Sequence, residues 1–182
     1  VAAQVRSSFA GTLKNLGTDY LDSFLIHGPS GAGALSEADW EAWETMESLH
    51  ADGQARAIGI SNVGLAQLRE LEGAKVRPAY VQNRCYAQRG WDEDVREYCL
   101  ANGIVYQGFS LLTANPHVVE HPMTGAVARR RNVTPEQVVF RFALTLGILP
   151  LTGTTDPRHM REDLDALSLE LTAAEADALR RL

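Results

Sequence analysis

What the chain has little of narrows its class first. Two cysteines, Cys85 and Cys99, are too few for a disulfide framework or a metal-ligand set, and they suit a reducing, cytoplasmic setting. No apolar run approaches the roughly 18 residues of a membrane span. The first residues include Gln4, Arg6, Ser7 and Ser8, so they lack the apolar core of a signal peptide. Basic residues are scarce, with 17 Lys and Arg against 23 Asp and Glu and a formal net charge of −6. The longest basic block is Arg129, Arg130 and Arg131, so nucleic acid is not an expected partner. No G-x-G-x-x-G follows an expected strand, which argues against the common dinucleotide-binding doubly wound sheet. No G-x-S-x-G is present, which argues against the common hydrolase version.

What is there fits one globular domain over residues 1–182, 45% hydrophobic and 22% charged. Val1, Val5, Phe9, Leu13 and Leu16 recur at helical spacing up to Gly17, a plausible stop. The chain opens inside that helical pattern without Met, which reads as a fragment of a longer protein. Strands are expected at 20–26, 56–60, 79–83, 104–109 and 148–151. Between them lie helical segments. One is capped by Ser36 with Asp39 and carries Trp40, Trp43, Met46 and Leu49. Others are expected at 65–71 and 92–101, followed by two helices within 116–147, the second started by Thr134, Pro135 and Gln137. Terminal helices are expected at 157–167 and 173–182, the last capped by Thr172 with Glu175. Five strands alternating with helices predict an α/β protein with a parallel sheet, either doubly wound or part of a (β/α)8 barrel.

Polar groups gather at the C-terminal ends of these strands: His27, then Ser61 and Asn62, Gln82 and Asn83, Phe109 and Ser110, and finally Thr152, Gly153 and Thr154. In a barrel, that edge builds the active site. Each group alone has an ordinary structural role. Ser and Asn cap helices, glutamine satisfies loop backbone, phenylalanine fills cores, and Thr-Gly-Thr makes turns. Five such groups on one edge suggest a shared task. Ser, Asn and Gln side chains can grip a carboxamide, and an aromatic ring can stack on a pyridine face. A Gly/Thr loop before a helix offers N–H groups to phosphate, and a histidine can polarise a carbonyl. The set fits a nicotinamide-dependent reductase, in which the cofactor carries the hydride.

At these residues the sequence resembles the aldo-keto reductases. The run from Leu16, Gly17, Thr18 and Asp19 to His27, Gly28 and Pro29 is similar to the family's approach to its active-site histidine. Ala57, Ile58, Gly59, Ile60, Ser61 and Asn62 resemble the signature at its fifth strand, and the segment 78–83 resembles the sixth-strand segment with the carboxamide-binding glutamine, here Gln82. Gly108, Phe109, Ser110, Leu111 and Leu112 resemble the segment that stacks on nicotinamide and touches pyrophosphate. Residues 150–164 resemble the adenosine-phosphate loop and helix. The resemblance covers nearly the whole chain and implies an incomplete parallel (β/α) barrel of TIM type, with about five of eight strands present. It implies His27 as catalytic residue. It also implies that Ser61, Asn62, Gln82, Phe109, Ser110, Leu112, Thr152, Gly153, Thr154, His159, Glu162 and Asp163 contact NADP(H) or NAD(H), with a small carbonyl compound as substrate and no metal.

The departures are equally specific. The family's tetrad is Asp, Tyr, Lys and His, and only His27 has a counterpart here. Lys14 and Lys75, the only lysines, fall in the first helix and in a loop. Phe109 stands where Tyr is frequent, Val63 where an aromatic is usual, Leu151 where many members put Lys, and His159 near an expected Arg. Weakly charged groups there would hold a 2′-phosphate poorly. The expectation is therefore a fragment of a carbonyl reductase, without turnover by itself. The alternative is a non-catalytic nucleotide-binding or regulatory subunit, or an inactive truncated relic.

Overall fold

Reciprocal capping sets where several helices begin. The computed structural model describes residues 1–182. The Ser36 hydroxyl accepts from the Asp39 N–H at 3.2 Å while the Asp39 carboxylate accepts from the Ser36 N–H at 2.8 Å, and α2 (Glu37–Ala51) starts there. Thr134 with Gln137 starts α7 (Pro135–Thr145), and Thr172 with Glu175 starts α9 (Ala173–Arg180). The first helix, α1 (Ala2–Leu16), ends on left-handed Gly17, φ 67°.

Contacts divide the chain into two compact units. The first comprises Val1–Gln82 with Ala101–Val105, and the second Asn83–Leu100 with Tyr106–Leu182. The first unit holds α1, β1 (Phe24–Ile26), α2, β2 (Ile58–Ser61), α3 (Leu65–Glu70) and the start of β3 (Tyr80–Arg84). Its strands lie in sequence order and run parallel, with Phe24 opposite Ile58 and Gly59 opposite Tyr80. Gly59 is required by close approach: a Cβ there would collide with the Tyr80 carbonyl oxygen and come within 3.0 Å of the Leu25 side chain. α2 buries Trp43, Met46 and Leu49, three residues apart on one face, and the Trp43 indole N–H donates to the Val76 carbonyl at 3.1 Å. Burial of Met46 and Leu49 contributes about 1.5–3 kcal/mol each.

The second unit holds α4 (Glu93–Ala101, except its last residue), β4 (Val105–Phe109, from Tyr106), α5 (Pro116–Val119), α6 (Pro122–Arg131), α7, β5 (Leu149–Pro150), α8 (Pro157–Asp165) and α9. β4 and β5 are parallel, with Gln107 opposite Leu149. Trp91 packs edge-on against Phe142, ring centres 5.3 Å apart, among buried Val138, Val139 and Ala143. Buried Glu175 is paired at 2.9 Å with both Arg130 and Arg131, which ties α9 to α6. The Thr172 backbone N–H, then Arg131, holds the Glu175 carboxyl below the usual range. The Asp92 carboxylate accepts from the Tyr106 hydroxyl at 2.7 Å and the Asn83 amide at 2.9 Å. Burial pushes both the Cys85 and Cys99 thiols up to about 12, with Asp92 adding to the rise, so they are protonated packing groups.

Three expectations need correction. The strand expected at 20–26 shrinks to Phe24–Ile26, because exposed Asp22 interrupts the run and Leu21 makes only a single bridge to Ala55. The strand expected at 148–151 shrinks to Leu149–Pro150. The segment 116–147 holds three helices rather than two, because Pro122 opens its own helix with the His121 side chain accepting from the Met123 N–H. No helix is long and apolar enough to cross a membrane.

Candidate functional site

In the first unit, the ends of three strands are laced together. Asn62 follows β2 in the left-handed region, φ 51°, a conformation asparagine tolerates better than most residues. That turn aims its side-chain amide at two acceptors, the His27 carbonyl at 2.7 Å and the Ser61 hydroxyl at 3.1 Å. The Asn62 backbone N–H donates to the Gln82 carbonyl at 3.0 Å, and the Ser61 hydroxyl donates to the same oxygen at 2.6 Å. Ser61 and Asn62 cap no helix; Gly64 occupies the cap position of α3. His27 is exposed at the end of β1, with its backbone held by Asn62. His27, Ser61, Asn62 and Gln82 are thus brought together in this unit.

Gln67 is a positioning residue that the sequence alone did not single out. From the first turn of α3, its amide donates to the Gly31 and Gly33 carbonyls at 2.9 and 2.7 Å. These bonds pin the Gly-rich loop that follows His27. The sequence signal was faint, a glutamine at the third helical position, which usually reads as a cap partner only.

The second unit contains a cavity of about 750 Å³. The nine candidate residues that fall in this unit all line it: Phe109, Ser110 and Leu112 after β4, Thr152, Gly153 and Thr154 after β5, and His159, Glu162 and Asp163 from α8. Ser110 is left-handed, φ 56°, and turns the chain so that the N–H groups of Leu111, Leu112 and Thr113 donate to no acceptor within the protein. The N–H groups of Thr152, Gly153 and Thr154 are likewise unpaired within the protein. Two runs of open N–H donors with Ser and Thr hydroxyls beside them suit a phosphate-bearing ligand. Phe140 and Leu111 give the cavity apolar surface. This donor set fits a dinucleotide.

Arg158 and Glu136 also line the cavity and were not anticipated. Arg158 stands beside the position where the sequence suggested only a histidine. Its guanidinium lies 2.9 Å from the His159 imidazole and 3.6 Å from the Glu162 carboxylate. Glu136 comes from α7, far away in sequence, and no local pattern links it to α8. The Asp156 carboxylate accepts from the Arg158 N–H at 2.8 Å at the start of α8. That bond, then the charge of His159, holds Asp156 below the usual carboxylate range.

Comparison with known proteins places the chain. Residues 2–115 match the model of the Aldo/keto reductase family. The chain is 29% identical over 177 residues to an uncharacterized oxidoreductase of Bacillus subtilis, covering 97% of this chain and 61% of that protein. It is 28% identical to the glyoxal reductase of the same organism, covering 97% and 62%. It thus spans about three fifths of the length of the curated relatives it matches. Among solved structures, it superposes on an aldo-keto reductase from a deep-sea metagenome with a TM-score of 0.89 at 23% identity, covering 98% of this chain and 65% of that one. For an aldose reductase of Schistosoma japonicum the TM-score is 0.83 at 26% identity, covering 99% and 64%. The likeness shows the fold, a parallel (β/α) barrel of TIM type, here incomplete, of which this chain carries five strands.

Proposed function

The chain belongs to the aldo/keto reductase family, and from that premise we propose that it forms the cofactor-holding part of an NAD(P)H-dependent reductase that converts an aldehyde or ketone to an alcohol. The observation that carries this is the cavity of the second unit, with six backbone N–H groups unpaired within the protein on two loops beside the hydroxyls of Ser110, Thr152 and Thr154. Bound nicotinamide supplies the hydride; the protein supplies binding and orientation.

In the second unit, the N–H groups after Ser110 and Leu151 bind the pyrophosphate, and the Phe109 ring presents a face for stacking. Glu162 and Asp163 take the adenosine end. In the first unit, Ser61, Asn62 and Gln82 serve the carboxamide, and the Ser61 hydroxyl and Asn62 amide are held in place by their bonds to the Gln82 carbonyl and to each other. The His27 imidazole, exposed and backbone-anchored, hydrogen-bonds the substrate carbonyl oxygen and supports proton delivery to it. The two buried thiols suit a reducing, cytoplasmic compartment.

Binding without turnover by the 182-residue chain is the second reading. Lys14 lies in the last turn of α1 and Lys75 in the loop before β3, so neither is at the C-terminal end of a strand, where a catalytic lysine would be needed. Titration of the 182-residue chain with NADH and NADPH, followed by nucleotide fluorescence and calorimetry, tests the proposal. Saturable binding of at least one of them is expected, with no cofactor consumed in the presence of aldehydes. A folded chain that binds neither overturns the proposal.

A further inference from the structure

We propose that the cavity of the second unit selects NAD(H) over NADP(H), through the carboxylates that α7 and α8 present to the adenosine ribose. The inference rests on the dinucleotide reading above and adds which dinucleotide. The phosphate-binding donors in the cavity are backbone N–H groups on the loops after β4 and β5, and both cofactors would use them equally. Discrimination therefore falls to the charged side chains. One guanidinium, Arg158, and the His159 imidazole face three carboxylates, Glu136, Glu162 and Asp163.

Arg158 is also already engaged. Its guanidinium lies 3.6 Å from Glu162 and 2.9 Å from His159, so a 2′-phosphate would have to draw it away and leave Glu162 unpaired beside the new charge. The start of α8, which would otherwise attract an anion, is faced by its own Asp156, which accepts the Arg158 N–H at 2.8 Å. The helix is held in that position from behind, because the Gln137 amide donates to the Glu162 backbone carbonyl at 2.9 Å. Half-buried Glu162 and Asp163 are acceptors only. A ribose diol has two O–H groups to offer them. A 2′-phosphate at neutral pH offers further negative charge and no matching donor, so it meets like charges in a partly desolvated site.

Calorimetry with 5′-AMP and 2′,5′-ADP on the 182-residue chain, which differ only at the 2′ position, reads this end of the cavity alone, and NADH against NADPH reads the whole ligand. AMP and NADH are expected to bind about tenfold more tightly than their 2′-phosphorylated partners, a difference of about 1.4 kcal/mol. In the double variant Glu162→Gln and Asp163→Asn the gap should shrink to less than about threefold, with the phosphorylated ligands gaining affinity. Should that variant fail to fold, salt gives a second measure in the unmodified chain: the gap should narrow as ionic strength rises and screens the repulsion. Equal or tighter binding of 2′,5′-ADP and NADPH, or a gap that ignores both the variant and salt, overturns the selectivity while leaving the dinucleotide reading intact. Absence of binding by all four ligands to folded protein removes both.

Discussion

In the first unit two side chains tie the strand ends together: the Asn62 amide bonds the His27 carbonyl and the Ser61 hydroxyl, and the Ser61 hydroxyl bonds the Gln82 carbonyl. In the second unit the comparable loops leave their N–H groups unpaired around an open cavity. One arrangement fixes geometry before anything binds; the other keeps donors in reserve for an anionic ligand. The difference separates two tasks: strand ends tied together by the Asn62 and Ser61 side chains suit orientation of a reacting group, whereas backbone donors suit holding phosphate. Substitutions in the first unit should thus cost rate or stability, and those in the second should cost affinity.

Three substitutions and one near-neutral control sharpen or break that contrast. The largest effect is expected for His27→Ala in a complete reductase barrel carrying this chain. There kcat should fall about 100-fold while the cofactor Kd stays nearly constant, as steady-state kinetics and binding titration would show. A matching rise in Kd would move His27 among the groups that hold the cofactor. Next comes Gly59→Ala, whose Cβ would meet the Tyr80 carbonyl; a loss of about 1–3 kcal/mol is expected from urea unfolding. Gly153→Ala, with nothing within 4 Å of the added atom, serves as its near-neutral counterpart in the second unit. The smallest loss among the three is expected for Phe109→Ala, which should weaken cofactor binding by about 1 kcal/mol if the ring stacks. An unchanged Kd would leave Phe109 as a packing residue.

Helix starts were the most legible features, because capping is local chemistry. Ser36 with Asp39, Thr134 with Gln137 and Thr172 with Glu175 all stand where the spacing predicts. Strand lengths were less legible: Leu21 bridges only to Ala55 and the Leu151 N–H bonds the Gly108 carbonyl beyond the end of β5, and how far such pairing extends depends on distant residues. Residue type pointed to Ser61, Asn62 and Gln82, and the structure brings the Ser61 and Asn62 side chains together beside the Gln82 carbonyl. What sequence could not convey was backbone. The open N–H groups of Leu111, Leu112 and Thr113 follow from the left-handed Ser110, and apolar side chains give no hint of them. Arg158 was overlooked for a similar reason. Its neighbour His159 occupied the expected position, and only the turn of α8 shows both facing the cavity.

The first unit is not continuous along the chain: it needs Ala101–Val105, where Ile104 is buried and the Val105 N–H bonds the Ala79 carbonyl at 3.0 Å. During synthesis, a ribosome that has released residues 1–82 has not yet delivered the piece that completes them. At ordinary elongation rates the interval is on the order of one to a few seconds. Through it, the nascent first unit stays without the segment that completes it.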